Sequence, residues 1–506
     1  MDLRPVRVMC AGRVDPGAVL AAFERGARGV MLLSCRGKGC RYGPGPALAR
    51  ETVTRVRALM HLLGLDPGRL LHLELGALEE KGLEAEIRSF WTTLSRMKKS
   101  PFGGNGAEPR REQGLEPCIE EYGVMHCLEC GKCTGACPLA QMGKEFSPRL
   151  LVRRLLEEGS QGPGLQAMVW ECLTCGLCQE RCPAGVRFLD FLLALRRNYR
   201  HRGGLGQMTH GGALHGLMRM QGVPDLGQNR LGWLPPDIRV SDRGEVLYFV
   251  GCIPYLDQFF SDLHLDLIRI PVSALRLLNE LGIEPAILPD ERCCGHDLLW
   301  AGDDEGFRRL RRLNLESFQR AGAKTVVTAC AECSYMLKHR CAPPGGPFPF
   351  EVMHLSEFLQ KARFRPRPSL GAVGTYQDPC RLGRLQRVFQ APRDLLAPVM
   401  ELREMPHFGP GAWCCGNSAW LGCDAYSKQM QVERLLEARE GGNGVVVTAC
   451  PKCQIHLRCA MRDPNLVHGL EVEVQDLSVL LARATGVAQA SRGRRKGDRR
   501  AVRLGD

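Results

Sequence analysis

Apolar and polar residues follow two different periods over the first hundred positions of the chain. Short apolar runs predict three strands, at 6–10, 29–35 and 69–75. Amphipathic segments, in which apolar residues recur every three or four positions, predict three helices, at 15–27, 47–64 and 78–94. Because strands that alternate with helices form parallel sheets, residues 1–98 are predicted to be an α/β domain.

The pattern changes after this first domain. Residues 99–117 are rich in Gly, Pro and charge and have no hydrophobic period, which is typical of a linker. Residues 118–200 contain two cysteine runs on either side of a helical segment at 148–159, which predicts a small helical domain. Residues 201–244 lack long apolar strands and are predicted to be a connector with one helix at 213–220.

The second half of the chain is an internal duplication. The segment RCCGHD is matched by WCCGNS 121 residues later, and VVTACAEC is matched by VVTACPKC 120 residues later. In each copy a short predicted strand leads to a single cysteine, Cys252 or Cys380. One α/β unit is therefore predicted to have been copied, as residues 245–365 and 366–485.

The composition is that of an ordinary globular chain of several domains, and the position of the excess positive charge decides how the net charge is interpreted. Of the 506 residues, 44% are hydrophobic and 24% are charged, which excludes a fibrous or intrinsically disordered protein. The net charge is +13, but the tail from Ala490 onwards alone carries seven Arg and Lys against two Asp. We therefore expect residues 486–506 to be a basic disordered tail, and the charge does not indicate a nucleic-acid partner.

The chain contains 25 cysteines, many of them in CxxC or CC clusters. The amino terminus has no apolar segment typical of a signal peptide, and no apolar run approaches the ~20 residues that span a bilayer. We therefore expect a cytoplasmic protein with reduced thiols, associated with a membrane only through partners. In a reducing compartment, clustered cysteines favour metal or iron–sulfur sites over disulfides.

Both cysteine runs of residues 118–200 have the spacing C-x2-C-x2-C-x3-C-P of bacterial ferredoxins. In this pattern the fourth cysteine of each run binds the cluster of the other run. The spacing therefore predicts two cubane 4Fe-4S sites, one on Cys127, Cys130, Cys133 and Cys182 and the other on Cys172, Cys175, Cys178 and Cys137. The alternative is zinc, which needs only four ligands in a C-x2-C…C-x2-C layout. The repetition of the full run favours iron–sulfur clusters.

Each copy of the duplicated unit has the pattern C…CC…CxxC. The two sets are Cys252, Cys293, Cys294, Cys330 and Cys333, and Cys380, Cys414, Cys415, Cys450 and Cys453. Each CxxC follows an apolar run, which places it at the carboxyl end of a buried strand and the start of a helix, where α/β folds bind ligands. Five thiols are one more than a cubane or a zinc ion uses. The structural alternative is a strained vicinal disulfide in each CC pair.

These motifs, from Cys118 to Cys453, resemble heterodisulfide reductase. Residues 118–200 are similar to its C subunit and 245–485 to its B subunit, fused as in the D-type protein. The resemblance implies that each five-cysteine set is catalytic and holds a non-cubane 4Fe-4S cluster, because in this family the paired clusters reduce a disulfide. It also implies a flavoprotein partner similar to the A subunit, a small disulfide substrate, and a hydrogenase or another dehydrogenase as a further partner.

Residues 5–97 resemble the delta subunit of methyl-viologen-reducing hydrogenase, through the segment from Val8 to Gly45. In that family a 2Fe-2S cluster is bound by cysteines of this segment together with an amino-terminal cysteine pair. Here Cys10, Cys35 and Cys40 are present without that pair. Two interpretations stay open: a 2Fe-2S cluster on these cysteines, or a docking domain in which they are ordinary buried thiols.

Three further residues are candidates for the reaction. His296 lies two residues after Cys294 and is either a proton donor near the cluster or an ordinary surface histidine. Arg381 and Arg384 either hold an anionic substrate or are solvated loop side chains. The remaining cysteines are predicted to be ordinary thiols, namely Cys118, Cys341, Cys423 and Cys459.

The sequence contains no G-x-G-x-x-G motif after a strand and no P-loop, so it predicts no flavin or nucleotide site in this chain. The leading hypothesis is an iron–sulfur disulfide reductase that passes electrons from a flavoprotein through the two cubanes to the non-cubane pair. The alternative is the electron-transfer subunit of a glycolate, lactate or glycerol-3-phosphate dehydrogenase that delivers electrons to quinone. A third hypothesis is a redox scaffold whose clusters are structural.

Overall fold

A computed structural model describes most of the chain, in the ranges 2–76, 80–103, 116–159, 162–342, 349–367, 371–442, 444–466, 470 and 472–487. Most of the predicted linker at 99–117 and nearly all of the predicted tail at 486–506 lie outside the described residues. The described residues contain separate parallel sheets in the N-terminal domain and in each of the duplicated units. The protein is therefore a multi-domain, mixed α/β chain.

The N-terminal domain is a two-stranded parallel sheet with three helices. Its elements are α1 (Pro16–Glu24), β1 (Val30–Cys35), α2 (Gly45–Leu62), β2 (Leu70–Leu75) and α3 (Glu80–Arg96). The strand predicted at 6–10 is wrong, because this run does not pair with β1 or β2 and lies on the surface, with Val6 83% and Met9 76% exposed. An apolar run becomes a strand only where it finds a partner edge.

The second domain is helical throughout its described residues. Its helices are α4 (Glu116–Glu121), α5 (Lys132–Ala136), α6 (Pro138–Gln141), α7 (Pro148–Glu158), α8 (Pro163–Glu171), α9 (Leu177–Glu180) and α10 (Phe188–His201). Ser147 caps α7 by accepting a hydrogen bond from the Leu150 amide at 3.1 Å. The connector helix follows as α11 (Ala213–Met220), at the predicted position.

The first duplicated unit is a three-stranded parallel sheet covered by helices. Its elements are β3 (Val246–Tyr248), α12 (Ile253–Phe259), α13 (Arg269–Glu280), α14 (His296–Trp300), α15 (Asp304–Arg320), β4 (Thr325–Thr328), α16 (Ala331–His339), β5 (Glu351–His354) and α17 (Leu355–Lys361). Strand β4 lies between β3 and β5. The carboxyl ends of β3 and β4 therefore lie side by side, and each leads into a predicted cysteine motif.

The second unit repeats this plan and adds an edge strand. Its elements are β6 (Val373–Gln377), α18 (Gly383–Gln386), α19 (Gln390–Leu396), β7 (Glu401–Leu402), α20 (Ala425–Glu440), β8 (Val445–Thr448), α21 (Pro451–Arg462), β9 (Glu473–Asp476) and α22 (Leu477–Thr485). The strand order is β7-β6-β8-β9, with all pairs parallel. Strands β6, β8 and β9 correspond to β3, β4 and β5, so the duplication read from the sequence is also a duplication of fold.

The N-terminal domain packs directly on the connector and the first unit. Helix α1 lies against α11, where Glu24 and Arg219 form an ion pair at 3.0 Å. At the carboxyl end of α2, the Leu62 carbonyl accepts a hydrogen bond from the Tyr255 hydroxyl at 3.3 Å. One hydrophobic core continues from this domain through the helical domain into both units.

Candidate functional site

Four cysteines of the helical domain line one surface pocket, which we call the outer site. They are Cys127, Cys130, Cys133 and Cys182. The first three come from one loop that leads into α5, and the fourth comes from the second cysteine run. Arg149 also lines the pocket and holds the loop by donating to the Glu129 carbonyl at 3.0 Å.

The other four cysteines of this domain line a second, apolar pocket, which we call the inner site. They are Cys137, Cys172, Cys175 and Cys178. The walls between them are apolar, with Leu139, Phe146 and Leu189 among the lining residues. Burial raises the pKa of Cys137 to about 12 and that of Cys172 to about 11. In both pockets, three cysteines of one run lie with the last cysteine of the other.

The two loops that present these cysteines share one backbone shape. The residue before the second cysteine has a positive φ in both runs, 48° at Glu129 and 50° at Thr174. The residue after it is a glycine with a positive φ, 75° at Gly131 and 79° at Gly176. Left-handed backbone costs free energy at a residue other than glycine. The tight turn therefore points three thiols at one pocket at the expense of local strain.

In the first unit, the five predicted cysteines form one continuous set of contacts. Hydrogen bonds link them in the order Cys252, Cys293, Cys294, Cys333 and Cys330. Cys252 and Cys330 precede the first turns of α12 and α16, so the amino-terminal ends of two helices face the set. A helix amino terminus favours negative charge, which suits thiolates.

The second unit holds an equivalent set, and the two sets touch. Hydrogen bonds link its cysteines in the order Cys380, Cys414, Cys415, Cys453 and Cys450. The thiol of Cys450 also forms a hydrogen bond with the thiol of Cys330 in the first unit. Beside this contact, the Ala331 amide donates to the Ala449 carbonyl at 3.2 Å. We call the surface where α16 meets α21 the seam. The ten cysteines therefore lie in one region centred on the seam, in which eight are buried and Cys252 and Cys380 are partly exposed.

The donor chemistry of these four groups fits iron–sulfur clusters. All 25 cysteines are free thiols in the structure, including both CC pairs. Hydrogen bonds from Cys333 and Cys450 lower the pKa of Cys330 to about 6, and those from Cys414 and Cys453 lower the pKa of Cys415 to about 6. An iron–sulfur cluster requires cysteine sulfurs that converge on one site, and each of the four groups supplies them.

A buried group of charges crosses the seam. The Lys452 ammonium lies 2.5 Å from Asp297 Oδ1 and 2.6 Å from Glu332 Oε2. His296 donates from Nδ1 to Asp297 at 2.8 Å and accepts at Nε2 from Arg381 at 2.9 Å, because a carboxylate only accepts and a guanidinium only donates. Burial, together with Lys452, lowers the pKa of His296 to about 3. His296 is therefore a buried neutral side chain whose one ring proton is bound to Asp297, and the surface interpretation is wrong.

Two arginines join the inner site to the second unit. Arg381 donates to the Thr174 carbonyl at 2.5 Å and to its hydroxyl at 2.7 Å, while Arg384 donates to the Cys175 carbonyl at 2.8 Å and to the Ala412 carbonyl. Both side chains are buried, so the interpretation as solvated loop residues is wrong. Both side chains donate to the loop that carries Thr174 and Cys175, which makes them structural links between the inner site and the second unit.

The N-terminal cysteines lie at the start of α2. The sulfurs of Cys10 and Cys40 are 2.7 and 2.8 Å from the point where a side chain on Gly45 would begin, so a glycine is needed there. Cys35 is exposed at the end of β1. The structure therefore brings Cys10 and Cys40 close together and leaves Cys35 at the adjoining surface.

Four polar residues of this region were not predicted from the sequence, namely Asp297, Glu332, Lys452 and His456. Glu332 and Lys452 occupy the same position in the two CxxC motifs, and a direct comparison of the repeats reveals their opposite charges. His456 lies one turn beyond Lys452 on α21, with Nδ1 3.3 Å from Cys415 Sγ. Of the remaining cysteines, Cys341 is buried and Cys459 accepts a hydrogen bond from Lys428 at 2.9 Å.

Family models match each part of the chain. Residues 1–98 match the delta subunit of methyl-viologen-reducing hydrogenase. Residues 122–186 match the 4Fe-4S dicluster domain, and the cysteine-rich domain matches twice, at 246–338 and 374–458. Among the described helices, none is both long enough and apolar enough to cross a bilayer.

Relatives that cover about two thirds to three quarters of the chain agree with these matches. The chain is 30% identical to the D-type polypeptide of dihydromethanophenazine:CoB–CoM heterodisulfide reductase from Methanosarcina barkeri, over 72% of this chain and 94% of that protein. Identity to the Methanosarcina acetivorans protein is 29% with the same coverage. The EtfAB:quinone oxidoreductase of Syntrophomonas wolfei is 26% identical over 66% of this chain and 56% of its own length. The chain therefore belongs to the D-type heterodisulfide reductase family and is an iron–sulfur oxidoreductase.

Proposed function

We propose that the chain is the disulfide-reducing component of a complex, with the domain limits predicted from the sequence. Each four-cysteine pocket binds a cubane 4Fe-4S cluster, and each five-cysteine set binds a non-cubane one. The observation that carries the proposal is the contact between Cys330 and Cys450, which joins two complete five-cysteine sets in one region. Reducing a disulfide to two thiols takes two electrons and two protons, and two adjacent one-electron centres supply the electrons.

The order of the sites supports a direction for the electrons. The outer site contains the exposed Cys130. The inner site is held against the second unit by Arg381 and Arg384, and Thr174 between its cysteines bonds Ser418 at 2.8 Å. When bound, the clusters carry single electrons along this order, from the outer site through the inner site to the ten-cysteine region. The arginines keep the inner site and the second unit at a fixed separation.

The surface beside the outer site supports a protein electron donor. Leu128 is 68% and Met125 65% exposed, next to the exposed Cys130. Exposed apolar side chains beside a redox site are typical of a docking surface. We propose that a flavoprotein similar to the A subunit binds here and on residues 1–98, because a flavin is suited to splitting the electron pair of a hydride donor. The N-terminal domain serves this contact whether or not Cys10, Cys35 and Cys40 hold a 2Fe-2S cluster.

A single-turnover experiment tests the reaction. Anaerobic protein is reduced, freed of reductant and mixed with the coenzyme M–coenzyme B disulfide or with a symmetrical disulfide. The proposal predicts release of two thiols per disulfide together with reoxidation of the protein. A matched variant, Cys341→Ser, changes a cysteine outside both five-cysteine sets and is expected to behave like the wild type. Reoxidation without thiol release contradicts the proposal.

The similarity to the EtfAB:quinone oxidoreductase favours one other candidate, an electron-transfer protein that delivers electrons to quinone. The same reduced protein distinguishes the two. If a soluble quinone reoxidises it rapidly while disulfides do not, the quinone-linked function is the correct one. The match of residues 1–98 to a hydrogenase delta subunit favours the disulfide reductase.

A further inference from the structure

Because the unit is duplicated, equivalent positions around the two five-cysteine sets can be compared within one chain. Several positions next to the cysteines differ in charge or hydrogen-bonding capacity, and each is defined by its offset from a shared cysteine. The first unit has Ile253, Asp297, Glu332 and Met336 where the second has Arg381, Ser418, Lys452 and His456. At these four positions the second unit is either more basic or less acidic than the first, whereas Arg292 and His296 of the first unit stand where the second has Trp413 and Asn417.

At the seam, acidic residues of the first unit form ion pairs with a basic residue of the second unit. Both carboxylates, Asp297 and Glu332, come from the first unit, and the ammonium of Lys452 that binds them comes from the second. Each unit also contains a buried ion pair of its own. Arg230 binds Glu291 at 2.7 Å beside the first set, and Arg393 binds Asp378 at 2.8 Å beside the second. A difference between the two sets is therefore sought in groups that contact the cysteines themselves.

One hydrogen bond to a cysteine sulfur distinguishes the second set from the first. His456 Nδ1 lies 3.3 Å from Cys415 Sγ. With Cys415 bound to a cluster as a thiolate, which can only accept, the ring proton would be on Nδ1 and His456 would donate to the sulfur. Trp420 holds the ring edge-on at 5.2 Å. In the first unit the equivalent residue is Met336, which has no donor. A donor to the first set is the Gly295 backbone amide, 3.4 Å from Cys293 Sγ.

Hydrogen bonds to ligand sulfur and nearby positive charge both stabilise the reduced form of an iron–sulfur cluster, which carries one more negative charge. We propose that His456 gives the five-cysteine set of the second unit the higher reduction potential of the two. Arg381 acts in the same direction, 3.9 Å from Cys380 Sγ. An electron that arrives from the inner site then resides first on the second set. This proposal rests on the proposed function, because it requires a cluster on each set.

His456→Met tests the proposal, because methionine is the residue that the first unit carries at this position. Redox titration of anaerobic full-length protein, followed by electron paramagnetic resonance, gives separate midpoint potentials for the clusters. In His456→Met, the more positive of the two non-cubane potentials is expected to fall toward the other, while the cubane potentials stay unchanged. His456→Gln keeps an N–H donor and is expected to retain most of the wild-type value.

The control is His215→Met, which removes a buried histidine of α11 whose two ring nitrogens have no hydrogen-bond partner. Its midpoint potentials are expected to match the wild type. Unchanged potentials in His456→Met, or equal shifts of both non-cubane potentials, would overturn the proposal. Failure of the proposed function looks different, since reduced wild-type protein would then release no thiols from a disulfide, whatever its midpoint potentials are.

Discussion

At the scale of single residues, a comparison of Arg384 with Arg387 separates the effect of buried hydrogen bonds from that of a surface charge. Arg384 is buried and satisfies the carbonyls of Cys175 and Ala412, whereas Arg387, three residues later, is exposed and pairs with Glu180 at the surface. An unsatisfied buried polar group costs roughly 1–3 kcal/mol, while an exposed ion pair contributes about 0–1 kcal/mol.

Arg384→Met is therefore expected to lower the free energy of unfolding by about 3 kcal/mol and to slow electron transfer from the inner site to the second unit. Arg387→Met, as the matched control, is expected to change stability by less than about 0.5 kcal/mol. Denaturant unfolding and the rate of reoxidation by disulfide measure the two effects. Equal losses in both variants would show that the buried hydrogen bonds of Arg384 do not couple the sites.

A second prediction at the residue scale concerns His215 and the dependence of folding stability on pH. Burial lowers the pKa of His215 to about 4, below its ordinary value of 6.5, so between these values the unfolded chain binds a proton that the folded chain does not. The wild type therefore loses stability as the pH falls from 6.5 toward 4. His215→Leu lacks this loss and is expected to gain about 2 kcal/mol relative to the wild type between pH 8 and pH 5. Melting temperatures at both pH values check this, and a gain of equal size at both would contradict it.

At the scale of elements, the strands that lead into the cysteine motifs were predicted correctly, whereas the strand predicted at 6–10 does not form. Strands β4 and β8 form where the sequence predicts them because each apolar run enters the middle of a parallel sheet. The run at 6–10 has the same apolar character but finds no partner edge. Local pattern specifies the tendency to form a strand, whereas pairing depends on tertiary contacts that one sequence does not display.

The junction between α2 and the connector depends on a glycine. Gly64 has a φ of 70°, and a side chain there would begin 1.7 Å from the Gly227 carbonyl oxygen. Gly64→Ala is expected to loosen the N-terminal domain, so that limited proteolysis releases a fragment containing residues 1–98 faster. Gly282→Ala is the matched control, since Gly282 has a φ of 74° but open space around it. If both variants are cleaved at the same rate, backbone conformation rather than the contact with Gly227 determines the effect.

Cysteine variants separate the two kinds of site. Cys293→Ser and Cys414→Ser are expected to abolish disulfide reduction while the cubane signals persist, because each removes a ligand from a five-cysteine set. Cys130→Ser is expected to block electron transfer from the donor but to leave chemically reduced protein able to reduce disulfide. Electron paramagnetic resonance and thiol release measure these outcomes. Loss of every cluster signal in all three variants would indicate collapse of the fold.

At the scale of the whole molecule, the sequence predicted the groups of cysteines but not the charges between them. Ferredoxin spacing and the duplication identify which sulfurs belong together, because ligands of one cluster follow fixed local turns. The pairing of Lys452 with Asp297 and Glu332 arises only when the two units pack, as does the burial of His296 and Arg381. Long-range packing therefore determines the electrostatics of the site.

The central claim is that eighteen of the cysteines hold four 4Fe-4S clusters. Iron and acid-labile sulfide in anaerobically purified full-length protein test it most directly. We predict about sixteen iron atoms per chain, or about eighteen if Cys10, Cys35 and Cys40 also hold a 2Fe-2S cluster, with a matching amount of sulfide. Stoichiometric zinc with little iron and no sulfide would contradict the account.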